Sequence, residues 1–429
     1  MERLKKILKW TGIVLGAMVA IGLVVNAVFV WTTDARLESQ LTEIRAAGDP
    51  VTLADLARPP IPPEQNAATY LRQAEAGIEA IEKETMDLRL VSECPGFLVP
   101  PEDQKRIKAA LVAYPNVFPL LKQAAACPNY DAQLDYALPS GEFIGHLCDS
   151  AVFQKSLGAA RVLRMQATLL VAEGNRDEAV RTALVIFRLT KLFDRNPTIV
   201  AYLVALAVRG SANVSVNAAL QTGPISKEVR DALDAELAIQ ERMEGFVSAM
   251  KSERAFFLDY FPGDVPISNF WLCCRGFWNQ QKSDCLDVWQ AVLATMREPI
   301  PYRQAEQAID ESLRNAGTMV TAMMSPGLKS PSHAAARTRA ELRALRVLNA
   351  LQTHVPAGSN EVPKLSELGL PAETTTDPFT GKPLHVKKTP QGWLVYSVGS
   401  NFQDDGGKLD DNSDVGVGPP PPTAEPGGK

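Results

Sequence analysis

The longest apolar stretch in the chain lies close to its N-terminus. Residues 10–31, WTGIVLGAMVAIGLVVNAVFVW, contain no charged side chain. As a helix they would extend about 33 Å, which matches a hydrocarbon core of about 30 Å. Basic residues stand at positions 3, 5, 6 and 9, so the positive-inside rule places residues 1–9 in the cytoplasm. The pattern predicts a single-pass anchor in the inner (cytoplasmic) membrane with the bulk of the chain extracytoplasmic. A cleaved signal peptide is the alternative.

Beyond the anchor, apolar residues recur mainly at helical spacing. A stalk and proline-rich linker is predicted over 32–65, followed by a helical extracytoplasmic domain over 66–330. Its clearest feature is a helical hairpin, 150–172 and 176–193, with Gly174 and Asn175 suited to the turn. Residues 198–220 are nearly all apolar, but their uncharged run is short for a second span and predicts a buried core helix.

The pattern changes near the C-terminus. Two short runs, 384–388 and 393–398, are separated by turn-forming residues and predict a β-hairpin within a small α+β module over 331–417. The following 418–429 segment is poor in apolar residues and predicts a disordered tail. The fold class expected from these patterns is therefore mainly α, with irregular helical hairpins and a small α+β module.

Net charge excludes one function class. The 429 residues include 44 Lys+Arg against 49 Asp+Glu, and the sequence pI is about 5.6. No basic stripe stands out beyond the N-terminus, so we expect no nucleic-acid partner. The membrane bilayer is the partner that the sequence itself indicates.

All six cysteines follow the anchor, as expected in an oxidising compartment. We predict one disulfide within the set Cys94, Cys127 and Cys148, and another that joins Cys285 to Cys273 or Cys274. The aromatic, cysteine-rich segment 261–284 is then a loop. Disulfides would hold this loop on the helical body, or its aromatic residues would form an exposed surface for a partner or a glycan.

An acidic stretch near the end of the chain supplies hard oxygen ligands. These are the types that calcium prefers, and they are Asp404, Asp405, Asp410, Asn412 and Asp414. The spacing is not that of an EF-hand, and a solvated acidic turn is the alternative to a calcium site. Calcium is the only cofactor that the sequence suggests.

Catalytic motifs of the common enzyme classes do not occur in the sequence. It contains no GxSxG, HExxH, GxxxxGK[ST] or GxGxxG. We therefore expect a membrane-anchored binding or scaffold protein and not an enzyme. An enzyme with an unrecognised active site is one alternative to that expectation.

Two parts of the chain resemble known groups of proteins. The segments RAAGDPVTLADL, PPIPPEQNAA and RLTKLFDRNPTIVAYLVALAV are similar to segments of uncharacterised single-pass membrane proteins of planctomycete-type bacteria. That resemblance covers much of 45–260 and implies no known activity.

Residues 335–417 contain, in order, a long predicted helix, Pro-x-Leu-x-x-Leu, the turn DPFTGKP at 377–383, Tyr396-Ser397-x-Gly399 and an Asp/Gly loop. In this order they resemble the C-terminal module of type II secretion major pseudopilins. The N-terminus has no prepilin cleavage signature, so the resemblance implies a shared small module and not a pilin. It also implies calcium in the last loop, and secretion or envelope proteins as partners.

Overall fold

The chain folds mainly into helices, as predicted, with a small antiparallel sheet near the C-terminus. The computed structural model describes residues 2–88, 97, 99–149, 152–195, 198–260, 270–297, 300–354, 361–410 and 412–420. The helices in this part of the chain are α1 (Glu2–Ala46), α2 (Ala67–Thr85), α3 (Pro101–Ala113), α4 (Val117–Ala126), α5 (Ser140–Asp149), α6 (Val152–Ala172), α7 (Arg176–Phe193), α8 (Ile199–Thr222), α9 (Lys227–Glu241), α10 (Glu244–Tyr260), α11 (Phe270–Arg297), α12 (Tyr302–Ala316) and α13 (Met319–His354).

Helix α1 is a single helix of 45 residues that joins the predicted anchor to the predicted stalk. The side chains of its apolar stretch 10–31 are almost all exposed, including Trp10, Ile21 and Trp31. A helix this long and apolar is compatible with a membrane anchor or with a signal sequence.

The core of the body is built around α6, α7 and α8. The α6–α7 hairpin forms as predicted, with Gly174 at φ 78° in the turn and the Asn175 side chain accepting from the Glu178 N–H. Helix α8 is also long and apolar enough to cross a membrane. However, Tyr202 and Val216 on α8 are fully buried among its neighbours, so α8 is the predicted core helix.

A loop was predicted over 261–284. This prediction is wrong for residues 270–284, which form the first half of α11. Residues 261–269 lie outside the described part of the chain. The segment is helical because it packs along α1. Between these two helices, the Arg36 guanidinium donates a hydrogen bond to the Asp284 carboxylate at 3.1 Å. Gly276 permits the close approach, since a Cβ at this position would lie 2.6 Å from Phe29 Cδ1.

The disulfide predicted for Cys285 is also wrong, because Cys285 is a buried free thiol. Cys273 and Cys274 lie on the same helix, and 11 residues of α-helix place Cys274 about 16 Å from Cys285 along the axis. A disulfide requires Cα atoms within about 7 Å. Cys127 is free as well, Cys94 lies outside the described residues, and Cys148 lies on α5.

The C-terminal sheet contains the predicted hairpin and one further strand. Strands β1 (His385–Thr389) and β2 (Gly392–Ser397) pair in antiparallel register, and β3 (Val415–Val417) adds to the free edge of β2. Helix α13 packs on this sheet and on α8 and α9, so the domain boundary predicted at 330/331 falls inside one helix. Of the predicted tail, residues 421–429 lie outside the described part of the chain.

Asp377 ties the turn at 377–383 to strand β2. Its carboxylate is 1% exposed and accepts from the Phe379 N–H at 2.7 Å, from the Ser397 hydroxyl at 2.8 Å and from the Val398 N–H at 3.1 Å. Gly399 closes the same corner at φ 66°, where a Cβ would meet the Ser413 carbonyl. The DPFTG turn and the Tyr-Ser-x-Gly strand end are therefore one hydrogen-bonded unit.

Candidate functional site

A cavity of about 400 Å3 opens where α9, α10, α11, α12 and α13 meet the C-terminal segment 371–378. This volume lies within the range of small-molecule sites, about 300 to 1,000 Å3. One part of the wall is apolar and includes Met243, Phe246, Met296 and Ile300. The lining also contains charged side chains, which are the arginines Arg242, Arg339, Arg343 and Arg346 and the carboxylates Glu241 and Glu373.

The α9–α10 joint forms one wall of this cavity. Met243 is 3% exposed and has φ 53°, a left-handed conformation that a bulky residue adopts only under constraint from its surroundings. It also lines a second cavity of about 220 Å3, together with Arg209 and Asp194. Met243 thus contributes to the walls of both cavities.

Three of the cavity arginines have charge partners, and Arg242 is paired with Glu244 at 3.9 Å. Glu241 accepts from Arg343 Nε at 2.6 Å and from Arg346 Nη1 at 2.9 Å, and Arg346 also pairs with Asp234. Arg343 additionally donates to the Thr376 carbonyl, and Arg346 donates to the Thr374 hydroxyl, each over 2.7 Å. This network fastens the C-terminal segment to α9, and each oxygen of the Glu241 carboxylate accepts from one arginine.

Arg339 differs from the other three arginines. It makes no hydrogen bond and no ion pair with any residue in the part of the chain that the structure describes, although it lines the cavity. Burial, and then the positive charge of Arg343 one turn along α13, lowers the pKa of the Arg339 guanidinium. A cation in this position is electrostatically unfavourable without an anion, so the site favours a negatively charged ligand.

An aromatic cluster supports the α12 side of the cavity. Tyr302, His333 and Phe379 meet edge to face, with centroid distances of 5.4 to 6.0 Å. The Tyr302 N–H donates to the Pro378 carbonyl at 2.8 Å, which fixes the start of α12 against the turn. Burial and the neighbouring Glu306 raise the pKa of Tyr302, so its hydroxyl stays protonated at neutral pH.

The acidic residues predicted as calcium ligands lie in the loop between β2 and β3. Asp414 is fully buried and accepts from the Gly407 N–H at 2.6 Å, and Asp404 accepts from the Tyr396 hydroxyl at 2.9 Å. Burial, and then the charges of Asp404 and Asp405, raises the pKa of Asp414.

Asp410 and Asn412 belong to the same loop, and the Asn412 N–H donates to the Asp410 carboxylate at 2.9 Å. The Lys408 ammonium and the Asn412 N–H lower the pKa of Asp410 to about 2. Asn412 is exposed. Among the described residues, no group of three His, Cys, Asp or Glu side chains is arranged to hold a metal ion.

The cavity arginines were not recognised in the sequence, although a signal was present. Arg339, Arg343 and Arg346 are spaced by four and three residues, which places them on one face of a helix. The helix also carries a continuous set of buried leucines and alanines. Arginines that recur at helical spacing in such a helix indicate buried ion pairs or a ligand site.

Comparison with known proteins adds no relative: no family model, no curated protein and no solved structure matches the chain.

Proposed function

We propose that this protein is a membrane-anchored extracytoplasmic binding protein whose helical body takes up a small organic anion. Helix α1 anchors the chain in the inner membrane with its N-terminus in the cytoplasm, and the cavity between α9 and α13 is the binding site. The observation that carries this proposal is Arg339, a desolvated guanidinium at the cavity wall with no partner among the described residues. The proposal assigns the cavity to binding and not to catalysis.

The lining of the cavity defines the class of ligand. A carboxylate or phosphate group would pair with Arg339, and an attached apolar group would pack against Phe246, Met296 and Ile300. Glu241 makes its hydrogen bonds with Arg343 and Arg346, and it acts on Arg339 only through its charge.

Calorimetric titration of the full-length protein in nanodiscs tests this function. Hexanoate and hexyl phosphate should bind, whereas hexanol, which has the same chain without the charge, should not. Arg339→Gln should weaken binding by about tenfold or more, which corresponds to the loss of one charge-assisted hydrogen bond. Arg314→Gln, an exposed arginine on α12 outside the cavity, is the matched control. Equal affinity of wild type and Arg339→Gln would contradict the proposal.

A second candidate function is that of an accessory component of a secretion or envelope assembly. The observation in its favour is the Asp377 unit, in which the two most specific pieces of the pseudopilin-like pattern contact each other. In-cell crosslinking followed by affinity capture, in calcium and in chelator, tests it. Recovery of an envelope protein that depends on calcium would support this function, and recovery of none would argue against it.

A further inference from the structure

Helix α11 runs alongside α1 in the same direction. Gly276 lies against Phe29 near the membrane end of the contact, and Arg36 donates to Asp287 at 2.5 Å further along. Gln40 donates to Asp287 over 2.7 Å. The α1 residue that lies beside each α11 residue therefore shows where that α11 residue lies relative to the apolar stretch 10–31.

An ion pair between α1 and α11 lies just beyond residue 31, where the apolar stretch ends. Asp34 is the first charged residue after residues 10–31. Arg275 donates to it, with Nη2 at 2.9 Å from Oδ2, and Asn279 donates to the same carboxylate. Arg275 originates beside the end of the apolar stretch and extends its guanidinium toward Asp34, as expected of an arginine at a membrane surface.

The helix continues below this charge pair. Residues 270–274 have the sequence FWLCC, contain no charge, and extend α11 by about 7 Å toward the centre of the apolar stretch. Just above them Phe277 is 52% exposed, and its ring meets Trp278 edge to face at 5.2 Å. Trp31 on α1 is 72% exposed at about the same height.

We propose that the start of α11, residues 270–278, inserts into the outer leaflet of the bilayer beside α1, as a second membrane contact of the protein. The proposal rests on the membrane anchor of the proposed function. In this position residues 270–274, about 7 Å of helix, lie at the level of the outermost acyl chains, and the rings of Phe277 and Trp278 lie at the headgroups. Because α11 also packs against α12 and α13, the insertion fixes the height and orientation of the body over the membrane.

Photolabelling from within the bilayer tests both proposals separately. The full-length protein is reconstituted in nanodiscs of phosphatidylcholine and phosphatidylglycerol with a lipid that carries a diazirine on its acyl chain, irradiated and mapped by mass spectrometry. Adducts on peptides from 10–31 and from 270–278, with none on α12, would support the insertion. Adducts on 10–31 alone would overturn the insertion but keep the anchor. Adducts on neither segment would overturn both.

A charged substitution provides a second test of the insertion. Phe277→Glu should reduce adducts on 270–278 by roughly fivefold. The reason is that transfer of a phenylalanine side chain from water into the bilayer favours insertion by more than that factor. Adducts on 10–31 should not change. Val112→Glu, at a 70% exposed position on α3, is the matched control, and Phe277→Ser replaces the test variant if Phe277→Glu loses helical circular dichroism. Unchanged labelling of 270–278 in both Phe277 variants would overturn the insertion.

Discussion

At the residue scale, the Asp377 carboxylate holds the turn 377–383 to the end of β2. Asp377→Asn replaces one acceptor oxygen by an NH2 group that faces N–H and O–H donors, and leaves at least one of them unsatisfied. We expect the free energy of unfolding to fall by about 2 to 3 kcal/mol, measured by urea titration in detergent. The control is Asp231→Asn, which breaks only an exposed ion pair with Lys227. It should change the free energy of unfolding by less than about 0.5 kcal/mol. Equal stability of both variants would refute this role.

Cys285 allows a direct check on the thiol chemistry. Burial, and then the charge of Asp284, raises the pKa of the Cys285 thiol to about 12, so almost no thiolate is present at pH 8. We expect iodoacetamide to leave Cys285 unmodified in the folded protein and to alkylate it in urea without any reductant. Alkylation that requires prior reduction would show that Cys285 forms a disulfide after all.

At the scale of elements, Glu241 connects α9 to α13. Glu241→Gln removes the charge that two buried arginines share, and we expect it to lower the free energy of unfolding by about 3 kcal/mol. Urea unfolding followed by tryptophan fluorescence measures the loss. Glu244→Gln, an exposed residue at the start of α10, is the control and should have little effect. A loss equal to that of the control would mean that the ion pairs do not hold these helices together.

At the scale of the whole molecule, stability should depend on pH through His333. Burial, and then the charge of Arg337, lowers the pKa of His333 below its unfolded value near 6.5. The unfolded chain therefore binds more protons just below pH 6.5, and the free energy of unfolding should decrease as the pH falls from 7 toward the folded pKa. His333→Gln should flatten this dependence, whereas His354→Gln, an exposed residue on the same helix, should not. Parallel slopes for both variants would exclude His333 as the cause.

Calcium should stabilise the whole chain if the β2–β3 loop binds it. At a calcium concentration about 100 times Kd, the gain would be about 2.7 kcal/mol, which raises Tm by a few degrees. Thermal unfolding in calcium and in chelator measures this difference. Asp405→Asn should reduce the calcium effect, and Asp231→Asn should leave it intact. Identical Tm values in calcium and chelator would exclude a calcium site in this loop.

Local pattern was sufficient to determine several features of this protein. The uncharged stretch 10–31, the α6–α7 hairpin and the β1–β2 hairpin could all be predicted, because periodicity and turn residues act over neighbouring positions. The buried position of α8 followed from the length of its uncharged run alone. The third strand, Val415–Val417, was missed because three residues carry too little pattern of their own.

Other features depend on contacts between distant parts of the chain. Residues 270–284 read as a loop by composition, and they are helical because α1 offers a packing surface about 250 residues away in sequence. The cavity arises in the same way, from five helices and a C-terminal segment that converge around Arg339. Sequence determined which residues are apolar, charged or turn-forming. Only the tertiary structure decided which of them meet, because burial and charge pairing depend on neighbours that no local pattern specifies.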